Sequence, residues 1–150
     1  MAEMDETKRQ ALVALLEPHL DEQDCYRPPP LLPLEMFFDG NDDEGSLGCN
    51  LPKHPGINAF YSTLLALRSD AEVSGAWVIA KQHDWKPAWP HSDEVVLRTR
   101  LSADEIAARL THLGPDTVDE VTKLRSPSED MTGALIACAA GEHFVVAWWD

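Results

Sequence analysis

Val95-Val96-Leu97-Arg98-Thr99-Arg100-Leu101-Ser102-Ala103-Asp104-Glu105-Ile106 carries a strand, a corner and the first turn of a helix in one run. Val95, Leu97, Thr99 and Leu101 alternate with Val96, Arg98 and Arg100, the period of a half-buried strand. At Ser102 the period changes. A Ser hydroxyl can take an orphan N–H of the first helical turn while a Glu three residues later reaches back, so Ser102 and Glu105 read as a capping box. Leu101 and Ile106 occupy the hydrophobic staple positions on either side. Ile106, Leu110 and Leu113 then fall on one inward face, and Gly114-Pro115 stops the helix.

The same periodicities organise the rest of the chain. Pro55 suits the first turn of a helix. Ile57, Phe60, Tyr61, Leu64 and Leu65 form one apolar stripe along it, a face that belongs on a sheet. Residues 77–80 read as a short buried strand. Residues 117–124 fit a strand or an irregular connection, and residues 125–132 a polar loop. Residues 134–139 and 143–149 read as a hairpin turning through Ala140-Gly141-Glu142. Phe144-Val145-Val146-Ala147-Trp148-Trp149 is apolar on both faces, as an interior strand is. Toward the N-terminus, Leu12, Leu15, Leu16 and Leu20 predict an amphipathic helix over residues 5–17, ended or kinked at Pro18. Pro28-Pro29-Pro30 and Pro33 force an extended connector. Residues 34–38 form one helical turn or a short strand. The pattern predicts an α+β fold: a mainly antiparallel sheet with helices packed on one face, plus an N-terminal helix. It predicts a single domain over residues 1–150, with helix and Pro-rich connector in 1–33 and the core in 34–150.

Charge narrows the function. Twelve Lys and Arg face 26 Asp and Glu, a formal net charge of −14 with a pI near 4.6. The excess is densest early: residues 1–54 carry −8 and residues 55–150 carry −6. Nucleic acid and anionic membranes are bound through basic footprints, so neither is expected as a partner. A basic protein surface is. Cys25, Cys49 and Cys138 form no CxxC pair and no even framework, which predicts a reducing compartment. The first residues lack the apolar core of a signal peptide, and no apolar run approaches bilayer length. Together these predict a cytoplasmic protein.

One stretch stands out chemically: Phe37-Phe38-Asp39-Gly40-Asn41-Asp42-Asp43-Glu44-Gly45-Ser46-Leu47-Gly48-Cys49-Asn50. Gly supplies positive φ without steric cost, and Asn and Asp bond their own backbone, so this density specifies a shaped, negative loop. Asp39, Asn41 and Asp43 match positions one, three and five of an EF-hand. The match then fails, with Glu44 where Gly is needed and Asn50 where a bidentate Glu is needed. Cys49 and His54 would need two further zinc ligands, and His83, His91 and His143 have no spacing that singles them out. No GxSxG, Walker loop or GxGxxG is present. His83-Asp84-Trp85-Lys86-Pro87-Ala88-Trp89-Pro90-His91 is a stiff aromatic loop: Trp exposed there would suit a binding anchor, and Trp folded back would lid the sheet.

The acidic run through Leu51, followed by Trp89-Pro90-His91-Ser92-Asp93-Glu94-Val95, resembles a group of small bacterial proteins with an FFxGNDDxGSxGCN loop. The resemblance spans residues 31–121. Some of that group resemble the immunity proteins encoded beside polymorphic toxins. It implies a non-enzymatic, acidic, cytosolic binding protein that blocks a basic surface or active site of a cognate toxin. The expected contacts are Asp39, Asp42, Asp43 and Glu44, with Trp85 or Trp89 as an anchor. No catalytic residue, metal ligand or cofactor is expected. The alternative is an enzyme or regulator with a divalent-metal site in the 39–54 loop.

Overall fold

A computed structural model describes residues 4–83 and 87–150. Its helices are α1 (Glu6–Leu16), α2 (Leu34–Phe38), α3 (Ile57–Arg68) and α4 (Ala103–Leu110). Its strands are β1 (Leu31–Pro33), β2 (Val73–Ile79), β3 (Glu94–Thr99), β4 (Thr117–Val121) and β5 (His143–Trp148). They form one sheet in the order β1-β2-β3-β5-β4, antiparallel at every pairing. The fold is α+β.

The β3–α4 corner forms as the sequence predicts. The Glu105 N–H donates to Ser102 Oγ at 3.1 Å, and the Ser102 N–H donates to Glu105 Oε1 at 3.4 Å. Ile106, Leu110 and Leu113 are buried, and Gly114 ends the element at φ 66. Alternation then divides the sheet. Val95 and Leu97 of β3, with Val145 and Ala147 of β5 and Trp149 just beyond it, face a core shared with Leu12, Leu16, Phe37, Phe60, Leu64 and Ile106. Every buried apolar helix residue joins this core. The opposite face gathers Leu31, Trp77, Ile79, Val96 and Ile136 into a smaller cluster. The N-terminal helix is held from both sides of its loop: Leu12 and Leu16 lie in the core, and the Asp5 N–H donates to the Gly40 carbonyl at 2.8 Å.

Two segments depart from their sequence reading. Residues 31–33, expected as connector, form an edge strand against β2. Pro33 is tolerated there because an edge strand need not donate on both sides. Residues 134–139 form no strand, so the expected hairpin does not exist, and β5 pairs with β3 and β4 instead. Arg98 supplies the reason. Its guanidinium lies 5.1 Å from the Trp77 ring centroid and donates to the Leu135 and Ala137 carbonyls at 3.1 and 3.3 Å. Those carbonyls are thereby held by a side chain rather than by a ladder. Ile136 between them is pressed into the smaller cluster.

Asp130 fastens the same segment. It accepts from the Trp77 indole N–H at 3.0 Å, the Thr132 hydroxyl at 2.6 Å and the Thr132 and Ala134 N–H groups at 2.8 and 3.1 Å. Burial opposes its ionisation, but these donors outweigh burial and hold its pKa below the ordinary 3.8. A carboxyl with a depressed folded pKa contributes stability that is complete above its unfolded pKa and is lost as pH falls through the folded value. Urea midpoints should therefore fall below about pH 4, and Asp130→Asn should flatten that acid-side fall. An equal acid-side slope in both proteins would contradict the assignment. At neutral pH, Ser102→Ala should cost about 1 kcal/mol and Leu97→Ala about 3 kcal/mol. Val146→Ala should cost less than Leu97→Ala, because Val146 is only half-buried on the smaller cluster.

Candidate functional site

The chain leaves α2 at a tight reversal. Gly40 sits at φ +80, and a Cβ there would lie 2.8 Å from Lys8 Cδ and 2.9 Å from Asp5 Cβ of the neighbouring helix start. Both the conformation and the close approach demand glycine. Gly48 is constrained in the same way at φ +70, with Leu51 and Phe60 at 2.9 and 3.0 Å from an added Cβ. Gly45, the glycine that an EF-hand reading displaces, has no positive φ.

Between these glycines the loop is built on side-chain-to-backbone bonds. Asn41 is 5% exposed. Its Oδ1 accepts from the Asp43 N–H at 2.9 Å and its Nδ2 donates to Ser46 Oγ at 3.0 Å. Asp43 caps the single 3₁₀ turn Glu44–Ser46: Oδ1 accepts from the Gly45 N–H at 2.9 Å. Its other oxygen, Oδ2, accepts from the Trp89 N–H at 3.0 Å and so ties the acidic loop to the aromatic loop. Two further bonds complete the seam. The Ser92 N–H donates to the Ser46 carbonyl at 2.8 Å, and His91 Nδ1 lies 3.0 Å from the Gly45 carbonyl. A carbonyl only accepts, so His91 carries its proton on Nδ1. Leu47, with no exposed surface, anchors the loop in the core.

The predicted contact residues separate into distinct roles. Asp39 turns to α1, where Lys8 Nζ stands 2.8 Å away, and the pairing raises the Lys8 pKa. Asp43 is a framework residue. Asp42 and Glu44 are exposed and, among the described residues, have neither hydrogen bond nor ion pair. Trp89 is 1% exposed and belongs to the main core, so it offers no anchor to a partner. It is drawn inward because its backbone is held by Asp43 and its ring fills space beneath the loop; its indole N–H has no hydrogen-bond partner there. Trp85 lies outside the described residues. His54 is also structural. Its Nε2 donates to the Leu47 carbonyl at 2.8 Å and its Nδ1 accepts from the Gly56 N–H at 2.9 Å, so both ring nitrogens are engaged and Cys49 has no zinc partner in it.

A groove of about 350 Å³ runs between the two loops, lined by Asp43, Cys49, Gln82, His83, Trp89 and His91. His83 Nε2 lies 2.9 Å from the Ala88 carbonyl, so this imidazole too closes a loop. Among the described residues no three His, Cys, Asp or Glu side chains are grouped to hold a metal ion. The acids of the 39–54 loop diverge toward α1, the Trp89 amide and solvent. The arrangement therefore presents fixed charge rather than convergent donors. Sequence reasoning missed Ser92, which is fully buried and accepts from the Glu94 N–H at 3.1 Å while donating to the Ile79 carbonyl at 2.5 Å. Its bond to the Glu94 N–H is the weaker Ser form of an i to i+2 turn, but nothing in Pro90-His91-Ser92 as a string signals its burial or its bond to Ile79. The Asn41 and Asp43 roles did have a signal, an Asx residue followed two positions later by the N–H it accepts.

The chain belongs to the YfbO family: the model of the uncharacterized protein YfbO family matches residues 7–147. It is similar to the "Uncharacterized protein YfbO" of Escherichia coli (strain K12), 32% identical over 124 residues that cover 82% of this chain and 84% of the relative. No solved structure matches it. Among the described residues no helix is long and apolar enough to cross a membrane.

The division of labour in the loop is directly measurable. Asp43→Ala should cost about 1–3 kcal/mol, because it leaves the Gly45 and Trp89 N–H groups without their acceptor. Asp42→Asn and Glu44→Gln should stay within about 0.5 kcal/mol of the parent. Urea denaturation decides it, and equal losses at Asp42 and Asp43 would contradict the assignment.

Proposed function

We propose that this protein is a non-enzymatic binding protein that meets a basic protein surface through Asp42 and Glu44. The observation that carries this reading is their isolation on a rigid support. Asn41, Asp43, Ser46 and His91 hold the loop by bonds that use neither residue. On a loop whose backbone is already held, an exposed pair of carboxylates loses less conformational freedom on association. The net charge of −14 adds long-range attraction to a cationic partner. The form of this function that fits best is a cytoplasmic immunity protein that occludes the cationic surface or active site of a cognate toxin. Its three cysteines are free thiols, in keeping with a reducing compartment.

The test begins with recovery of the partner from the native host and continues with association kinetics. The double variant Asp42→Asn, Glu44→Gln should fold normally and bind about tenfold more slowly at low salt, with a flatter dependence on ionic strength. An on-rate equal to that of the parent would remove these carboxylates from the interface. Recovery of housekeeping proteins alone would count against a dedicated partner.

A further inference from the structure

Among the described residues, six of the twelve Lys and Arg of this chain face an acid. Lys8, Arg9, Arg27, Arg68, Lys81 and Arg109 each stand against a carboxylate. Arg98 is enclosed by Ser74, two carbonyls and the Trp77 ring. Like Lys53 and Arg100, Lys123 and Arg125 differ from these. Both are exposed, and among the described residues neither has an ion pair, although the chain carries 26 acids. With so many carboxylates available, two unpaired cations one residue apart leave a local positive surplus in a negative field.

They also line a cavity. A groove of about 370 Å³ on the face of the sheet opposite the helices is bounded by Lys123 and Arg125 with Lys81 and Glu94. Its apolar part comes from Ile79, Val146 and Leu124. Lys81 and Glu94 satisfy each other at 2.6 Å, so the unbalanced charge in the groove belongs to Lys123 and Arg125. Small-molecule sites combine an apolar surface with a few placed polar groups, in volumes from about 300 Å³ upward. Val146 is only half-buried, so part of the apolar surface is open to a ligand.

We propose that this groove binds a small carboxylate with an apolar chain. The chain lies along Ile79, Leu124 and Val146, and the carboxylate meets Lys123 and Arg125. Arg suits the planar head, since its fork of N–H donors matches a carboxylate in two bonds. Glu94 stays on Lys81 and does not compete. The site shares no residue with the acidic loop and does not depend on the function proposed for it.

The probe is octanoate, titrated into the full chain by calorimetry and followed by methyl shifts of Ile79 and Val146. One saturable site is expected, with those methyls among the most shifted. The variant Lys123→Gln, Arg125→Gln should melt like the parent, because both side chains are exposed, and bind octanoate at least about tenfold more weakly. Inorganic phosphate, which has the charge without the chain, and 1-octanol, which has the chain without the charge, should each bind more weakly than octanoate. The proposal is overturned by no saturable signal up to about 10 mM octanoate, a weak limit for any specific site. It is equally overturned by undiminished binding in the variant, by shifts confined to other methyls, or by phosphate or 1-octanol binding as tightly as octanoate.

Discussion

Burial of one face of the sheet is the constraint from which the rest of this structure follows. Leu97, Val145, Ala147 and Trp149 have almost no exposed surface, and every helix contributes its apolar residues to the same cluster. Burial of that size is the main favourable term in folding, and it fixes where chain segments without regular structure can run. Besides Tyr26, the loop residues drawn into this core include Leu47 and Trp89. Both anchor the candidate site. The acidic loop is therefore not an appendage to the sheet: its middle is a core residue, and its polar bonds are made in the shelter of that packing.

Within that frame a single carboxylate decides what the loop presents. Asp43 places one oxygen on the turn that follows it and the other on the aromatic loop. A charged acceptor bonded to two backbone N–H groups is stronger than a neutral one. The turn directs the neighbouring Asp42 and Glu44 side chains to solvent. Chemically similar residues, adjacent in sequence, thus end in opposite roles. Asp43 and Asn41 hold the shape, while Asp42 and Glu44 carry the charge that the shape displays.

Much of this was legible beforehand, for reasons that can be located. The β3–α4 corner was readable because its period changes within a few residues at a cap whose partners are local. The interior position of β5 was readable because it is apolar on both faces. Its pairing was not. The hairpin reading of residues 134–139 failed because Arg98, distant in sequence, takes the carbonyls that a ladder would have used. Strand β1 was hidden by its prolines, which an edge tolerates and an interior strand would not. The acidic loop was visible as a shaped element, yet the glycines that shape it are Gly40 and Gly48 rather than Gly45. Composition marks Trp89 as a large apolar side chain without saying which way it faces. Here the Asp43 contact and the space under the loop turn it inward.

Asp43 and Asn41 preorganise the loop independently of any partner. Amide hydrogen exchange in the free protein tests this preorganisation most directly. The N–H groups of Asp43, Gly45, Ser46 and Trp89 are all bonded within this network, whereas those of Asp42 and Glu44 have no acceptor among the described residues. Exchange should be slow at Asp43, Gly45, Ser46 and Trp89 and fast at Asp42 and Glu44. Exchange at Gly45, Ser46 and Trp89 as fast as at Asp42 and Glu44 would contradict that preorganisation.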